Sequence, residues 1–209
     1  MNPRLSRSFF NRPTLAVARD LLGQRLVRIE NERTRLSGII CETEAYIGPE
    51  DDGCHAKSGL TERNRSMWGR PGICYVYFTY GMHWMLNLVT ENVGFPAAVL
   101  LRAVIPQEGI EHIRRRRAGQ ASQHWTDGPA KLCQAFGINA EHNGLDSCHP
   151  QAILFVEQAE PVEDEFVTLG PRVGLNRVEE PWKSMPWRFR VSAELFTNRG
   201  GFENVTTER

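Results

Sequence analysis

The sequence has no hydrophobic run long enough to cross a membrane, and its first ten residues lack the apolar core of a secretory signal peptide. It also has no internal repeat and no long linker. At 209 residues, with 41% hydrophobic and 24% charged residues, the chain has the composition of an ordinary globular protein. We therefore expect one intracellular domain, residues 1–209, with one buried core and no membrane association.

Cysteines are few and show no pairing pattern. There are five, an odd number, at positions 41, 54, 74, 133 and 148, and none form a C-x-x-C motif. This argues against a disulfide framework and against a cysteine-based zinc site. We expect free thiols, most of them small core residues.

The formal net charge is zero, which taken alone argues against a nucleic-acid partner. The charges are unevenly spread, however, because residues 1–40 are rich in arginine and residues 141–180 are rich in glutamate and aspartate. One neutral molecule can therefore have a basic face and an acidic back. The four consecutive arginines at 114–117, taken by themselves, are better explained as the solvated face of a helix.

Residues 36–55 are the most informative stretch. Between Ser37-Gly38 and Gly48-Pro49 they lack helical periodicity and predict a β-strand. Because strand side chains alternate between faces, Glu42, Glu44 and Tyr46 share one face. The expected core face holds Ile39, Cys41, Thr43, Ala45 and Ile47. A strand that presents two carboxylates and a phenol indicates a functional site, although an edge strand with a solvated polar face has the same pattern.

The rest of the chain predicts an α+β fold around a mainly antiparallel sheet. Helices are expected at 14–22, 108–117 and 129–136, the last between Gly128 and Gly137. Strands are expected at 24–29, 73–79, 85–89, 97–104 and 187–192, with short strands in the acidic segment 152–166. Residues 56–72 form a polar, basic loop.

All four tyrosines lie between positions 46 and 80. A phenol suits a place where the ring stacks on something flat while its hydroxyl stays hydrogen-bonded. Tyr75 and Tyr77 share a strand face, and Tyr80 lies at a predicted hairpin tip, where a bulky side chain protrudes. Core filling is an acceptable alternative for Tyr75 but not for Tyr80. The arginines beside these rings, within reach of phosphates, are Arg63, Arg65, Arg70 and Arg102.

Several motifs, in chain order, closely resemble the alkyladenine (3-methyladenine) DNA glycosylase family. They are Glu44-Ala45-Tyr46, Gly48-Pro49-Glu50-Asp51, His55, Arg63-Asn64-Arg65, Tyr75-Val76-Tyr77, Tyr80-Gly81-Met82, Asn87, Leu100-Leu101-Arg102-Ala103, Gly128-Pro129-Ala130-Lys131-Leu132 and Gly170-Pro171-Arg172-Val173-Gly174. The resemblance implies a single α+β domain with a curved, mainly antiparallel sheet flanked by helices and a protruding β-hairpin.

The same resemblance implies a function. It points to a monomer that acts without a cofactor on double-stranded DNA containing damaged purines. The reaction is hydrolysis of the N-glycosidic bond without strand cleavage, which begins base excision repair. The substrates are 3-methyladenine, 7-methylguanine, hypoxanthine and ethenoadenine, and the sequence does not rank them.

The resemblance also assigns roles to individual residues. Glu44 activates a water molecule, and Arg102 helps to hold that water or a phosphate. The extruded base lies between Tyr46 and His55 on one side and Tyr77 on the other. The remaining assignments are Asn87 as a filter against guanine, Tyr80 as the intercalating residue, and Arg63, Arg65, Arg70 and Lys131 as contacts to the DNA backbone.

Two other classes of function stay open at this point. A sugar-active hydrolase could use Glu42 and Glu44 as its carboxylate pair, although neighbours on one strand face point the same way instead of flanking a bond. A non-catalytic nucleic-acid-binding module could use the same tyrosines and arginines. The glycosylase hypothesis requires a Glu44 carboxyl group that can be reached from a basic groove, and a carboxyl group sealed in the interior would contradict it.

Overall fold

The computed structural model describes residues 2–192, so residue 1 and residues 193–209 of the expected domain lie outside the described part. The strands are β1 (Arg25–Asn31), β2 (Thr34–Ile47), β3 (Cys74–Thr79), β4 (His83–Val89), β5 (Ala97–Glu108), β6 (Leu154–Glu157), β7 (Val167–Gly170) and β8 (Arg188–Val191). The α-helices are α1 (Arg7–Phe10), α2 (Thr14–Asp20), α3 (Ile110–Arg116) and α4 (Pro129–Phe136). Mixed helices and strands around one antiparallel sheet confirm the predicted α+β class.

The eight strands form one sheet that branches at β2. The main order is β3-β4-β5-β2-β1-β6, and every neighbouring pair is antiparallel. On its side away from β5, the 14-residue strand β2 pairs first with β1 and then, at residues 42–44, with β8, which in turn pairs with β7. The far end of β2 is therefore enclosed by β5 and β8.

Strand β2 does not keep a single alternation of faces. Its register with β5 shifts between Ile40 and Thr43, as in a β-bulge, which inserts a residue and exchanges the faces. Leu36 and Ile40 are fully buried before the irregularity, and Ala45 is fully buried after it. The prediction that Ile39 belongs to the core face is therefore wrong, because Ile39 precedes the bulge.

Helix α4 is the predicted helix that the structure reproduces best. It begins with Pro129. Proline suits this position because the first N–H groups of a helix have no partner within the helix, so its lack of an N–H costs no hydrogen bond. The helix ends at Gly137 in the left-handed conformation (φ 65°). The predicted inward face, Leu132, Cys133, Ala135 and Phe136, is buried. Because α4 packs on β4 and β5, its first turn lies near the hairpin.

The acidic segment is the part of the prediction that fails most clearly. Of the short strands expected in residues 152–166, only β6 forms, and Asp164–Phe166 is a 3-10 turn before β7. The five cysteines are free thiols, as predicted, and three of them are buried. Within residues 2–192, no helix is long and apolar enough to cross a membrane.

The hairpin between β3 and β4 ends in a tight turn. Tyr80 and Gly81 both have positive φ (52° and 67°), as both central residues of a type I′ turn require. Glycine adopts this conformation freely, whereas a tyrosine there is strained by about 1–3 kcal/mol. The Tyr80 side chain is 79% exposed, which confirms that it protrudes at the tip.

Candidate active site

A cavity of about 450 Å³ opens beside the hairpin. It lies between the ends of β2, β3 and β4, the loop around Val173 and the first turn of α4, where Pro129 and Ala130 form part of the wall. Six of the residues assigned from the sequence line it: Tyr46, His55, Tyr77, Tyr80, Asn87 and Arg102. The volume is within the range typical of small-molecule sites.

His55 and Tyr77 form one wall of the cavity. Their ring centroids are 4.5 Å apart with an interplanar angle of 76°, an edge-to-face contact. Tyr75 is buried behind them, with its hydroxyl group 2.8 Å from His55 Nδ1. Tyr75 is therefore a core residue, and it fixes the orientation of the imidazole.

The predicted arrangement of the aromatic rings needs one correction. The sequence analysis placed His55 and Tyr77 on opposite sides of an extruded base. Rings in direct contact leave no room for a base between them, so that arrangement is wrong. His55 belongs to the same wall as Tyr77, and Tyr46 lines the cavity separately.

Burial, and to a smaller extent the nearby Arg63 guanidinium, lower the pKa of His55 to about 4. The imidazole is therefore neutral near pH 7.

Asn64 holds the loop that carries His55. Its buried side chain donates hydrogen bonds to the carbonyl oxygens of His55 (3.0 Å) and Gly59 (2.8 Å) and accepts one from the N–H of Thr61 (2.7 Å). Sequence reasoning placed Asn64 in a polar loop without a role. Its position in the Arg63-Asn64-Arg65 motif was the available signal.

The Glu44 carboxylate lies behind the cavity wall and accepts hydrogen bonds from two sides. The Val173 N–H donates to Oε1 at 2.7 Å, and the Tyr46 hydroxyl donates to Oε2 at 2.9 Å. Arg102 Nη1 lies 3.3 Å from Oε1. Burial raises the pKa of Glu44, and the Arg102 charge and the Val173 and Tyr46 hydrogen bonds offset only part of that effect.

The accessibility expected for Glu44 is not found. Its side chain has no exposed area, because Tyr46, Arg102 and Val173 separate it from the cavity that all three line. The expectation of an open carboxyl group on a solvated strand face is therefore wrong for this arrangement. Its physical cause is the loop around Val173, which covers the end of β2 and could not be located from local sequence.

Glu42 is a partner of Arg102. Arg102 Nε donates to Glu42 Oε1 at 2.7 Å, while the other side of the same guanidinium faces Glu44. Two carboxylates that share one guanidinium lie side by side. This does not fit the opposed pair of a sugar hydrolase, in which the carboxylates flank the scissile bond.

Asp51 and Arg172 are two buried charges that sequence reasoning did not assign. Arg172 Nη2 donates to Asp51 Oδ1 at 2.7 Å and Nη1 donates to Oδ2 at 2.5 Å, and both side chains have no exposed area. Both residues belong to motifs named above, which was the only sequence signal. The pair lies directly behind Tyr46, because the Arg172 guanidinium is 4.7 Å from the centroid of that ring.

The four basic residues assigned to the DNA backbone differ in their immediate surroundings. Arg63 is nearest to the cavity, 5.4 Å from the Tyr77 ring centroid. Arg65 is paired with Glu62 (2.6 Å), and Lys131 is paired with Asp127 (2.7 Å). Arg70 is exposed.

No group of three or more His, Cys, Asp or Glu side chains suited to a metal ion occurs in the described part of the chain. The assigned residues bring four aromatic rings (Tyr46, His55, Tyr77 and Tyr80), the Asn87 amide and the Arg102 guanidinium to the cavity. The aromatic rings and the polar groups thus face one cavity, with the Glu44 carboxylate buried behind its wall.

Comparison with known proteins identifies the family. Residues 8–195 match the family model of methylpurine-DNA glycosylases. A protein from Methanocella arvoryzae is 47% identical over 188 residues, covering 90% of this chain and 92% of the relative. One from Carboxydothermus hydrogenoformans is 42% identical over 195 residues, covering 93% and 98%. Both are provisionally named 3-methyladenine DNA glycosylases. The chain belongs to the methylpurine-DNA glycosylase family.

Proposed function

We propose that this DNA glycosylase extrudes alkylated purines, and the deaminated purine hypoxanthine, from duplex DNA and hydrolyses their N-glycosidic bonds with a water molecule activated by Glu44. The observation that carries the proposal is the Glu44 carboxylate, held beside Arg102 behind the wall of an aromatic cavity. The protein would act as a monomer on damaged duplex DNA.

Extrusion is required because a base inside a duplex cannot reach an enclosed cavity, and it costs about a few kcal/mol. Tyr80 is the residue suited to replace the lost stacking. It is exposed at the hairpin tip, and its backbone strain favours a functional role over a structural one. It also lines the mouth of the cavity, so an extruded nucleotide would enter directly beside it.

The extruded purine would stack between Tyr46 on one side and the His55–Tyr77 wall on the other, with each stacked ring contributing about 1–3 kcal/mol. Because His55 is neutral, it presents no charge that would repel a cationic alkylated purine. Asn87 is buried in the wall with its Nδ2 donating to the Tyr75 carbonyl oxygen at 3.0 Å. A side chain fixed in this way would clash with the 2-amino group of guanine.

Glu44 would remove a proton from the attacking water as positive charge develops on the sugar. The carboxylate accepts hydrogen bonds from Val173 and Tyr46, so part of its acceptor capacity remains free. The sealed carboxylate does not meet the accessibility that the sequence analysis required of Glu44. The proposal therefore requires the Tyr46 hydroxyl or the Val173 loop to shift when a base enters, so that water can reach the carboxylate. Both belong to the cavity wall that the base would contact.

Hydrolysis without strand cleavage is proposed because no lysine is among the described residues that line the cavity. A bifunctional enzyme needs an amine near the sugar to form a Schiff base. Arg102 instead supplies a fixed positive charge that favours the ionised form of Glu44 and can hold the water or a phosphate.

The test is incubation with duplexes that each contain one damaged purine, followed by alkali. Cleavage at the lesion only after alkali supports the proposal, and cleavage before alkali would contradict the absence of lyase activity. Binding without cleavage would indicate a nucleic-acid-binding module. Cleavage of methylated but not hypoxanthine-containing duplexes would restrict the proposal to alkylated purines.

A further inference from the structure

The ion pair of Arg172 and Asp51 lies in the interior, behind the Tyr46 wall of the cavity. Both charges are fully buried, and the bond is bidentate. Arg172 Nη1 also donates to the Ala45 carbonyl oxygen at 3.0 Å. A buried ion pair is a poor device for stability, because desolvation of two charges offsets much of their attraction, whereas its directed hydrogen bonds fix geometry well.

The ion pair fixes the positions of the groups around Glu44, the proposed catalytic residue, and of Tyr46 in the cavity wall. Arg172 directly precedes Val173, whose N–H is bonded to Glu44. The Arg172 guanidinium also packs against the Tyr46 ring, which carries the second hydrogen-bond donor to Glu44. Both donors to the buried carboxylate are therefore held by one side chain.

Asp51 extends the same arrangement to the turn after β2. Its carboxylate accepts hydrogen bonds from the N–H groups of Ile47 (3.2 Å) and Gly53 (2.9 Å) in addition to those from Arg172. That turn leads from Tyr46 to His55, so the ion pair joins the late loop at 172–173 to both aromatic walls of the cavity.

We propose that Arg172, held by Asp51, is a positioning residue that fixes the Val173 N–H and the Tyr46 hydroxyl on the Glu44 carboxylate. This inference rests on the function proposed above. Its role is indirect, because Arg172 acts on the reaction only through the two hydrogen-bond donors that it holds on Glu44.

The consequence of losing this contact has a definite sign. A hydrogen bond donated to a carboxylate stabilises its charged form. If the Val173 N–H moves away, the pKa of Glu44 rises further and a smaller fraction of the enzyme is active at a given pH. Misplacement of the carboxylate would lower the rate as well, by up to about 100-fold for a displacement near 1 Å.

The test is Arg172→Lys, which keeps the buried positive charge but cannot make the two parallel bonds. The matched control is Arg12→Lys, because Arg12 also pairs with an aspartate (Asp20, 2.8 Å) and packs on a ring (Phe9, 4.5 Å) but does not line the cavity. The readouts are the single-turnover excision rate as a function of pH and the Kd for lesion DNA.

For Arg172→Lys we expect a rate about 10–100-fold lower, an acidic limb moved to higher pH and a Kd within about threefold of the parent. Arg12→Lys should change none of these. If the acidic limb of Arg172→Lys stays at the parent position, the proposal is wrong. Asp51→Asn, which leaves Arg172 in place, should shift the limb in the same direction and serves if Arg172→Lys does not fold.

A double substitution separates this proposal from the proposed function. If Arg172 acts through Glu44, Arg172→Lys should lower excision little further in a Glu44→Gln background, whereas independent effects would multiply. Multiplying effects overturn the positioning role alone. A Glu44→Gln enzyme with the parent rate would instead overturn the proposed function, whatever Arg172→Lys does.

Discussion

The Glu44 carboxylate accepts a 2.7 Å hydrogen bond from the Val173 N–H, although 129 residues separate the two in sequence. The acid at the end of β2 is thus covered by a loop from the far part of the chain. This contact, with Tyr46 and Arg102, keeps a buried carboxyl group partly stabilised in its charged form, while burial raises its pKa overall.

The raised pKa of Glu44 predicts the pH dependence of excision. A general base works only when it is ionised, so the rate should fall as the pH drops through the raised pKa. The acidic limb should therefore lie above the ordinary glutamate value of about 4.3. His55, with a pKa of about 4, should contribute no limb near neutral pH. Single-turnover excision rates measured from about pH 4 to about pH 9 would locate the acidic limb. A rate that stays constant down to the ordinary glutamate pKa would contradict this prediction.

Tyr80→Ser should weaken binding to lesion DNA without unfolding the protein. Loss of one stacked ring corresponds to about 1–3 kcal/mol, or roughly 5–150-fold in Kd. The side chain is 79% exposed, so the melting temperature should stay at the parent value. Leu169→Ser, which also removes an exposed apolar side chain (62% exposed), is the control and should leave the Kd unchanged. Equal binding by Tyr80→Ser and the parent would remove Tyr80 from the proposed mechanism.

Arg63→Gln should reduce the salt dependence of DNA binding. Arg63 is exposed beside the cavity, and each phosphate contact contributes about 0.9 to the slope of log K against log salt. The slope should become shallower by about 1 for a single lost contact. Arg115→Gln, at an exposed position of helix α3, is the matched control and should leave the slope unchanged. A shallower slope in the control but not in Arg63→Gln would place the phosphate contact on helix α3 instead of at Arg63.

Asn64→Ala should destabilise the fold, because it removes the donors to the His55 and Gly59 carbonyl oxygens and the acceptor for Thr61. Loss of such buried partners costs about 1–3 kcal/mol in the free energy of unfolding. Urea denaturation measures it, with Asn92→Ala at an exposed turn as the control. A change below about 0.5 kcal/mol would show that this loop is not held by Asn64.

Local sequence patterns predicted the elements whose formation depends on neighbouring residues. Strand β2, the β3–β4 hairpin with Tyr80 at its tip, and helix α4 between two glycines are all present. Each has a periodicity or a turn signal that acts within about ten residues. The family resemblance added the site residues, and Tyr46, His55, Tyr77, Asn87 and Arg102 do line one cavity.

The features that sequence did not predict depend on distant pairing. The bulge in β2 arises from its register with β5, which local alternation cannot specify. The burial of Glu44 and the Arg172–Asp51 pair both result from the loop near residue 173 folding over the end of β2. The contact of His55 with Tyr77 depends on how the loop held by Asn64 meets the hairpin.

The central claim is that the Glu44 carboxylate activates the attacking water, and single-turnover excision by Glu44→Gln tests it most directly. Glutamine keeps the shape of the side chain but cannot accept the proton, so excision of a damaged purine should fall by about 100-fold or more while lesion binding is retained. Glu42→Gln, on the neighbouring carboxylate that also contacts Arg102, is the comparison and should be the less affected variant. Excision by Glu44→Gln at the parent rate would contradict the account.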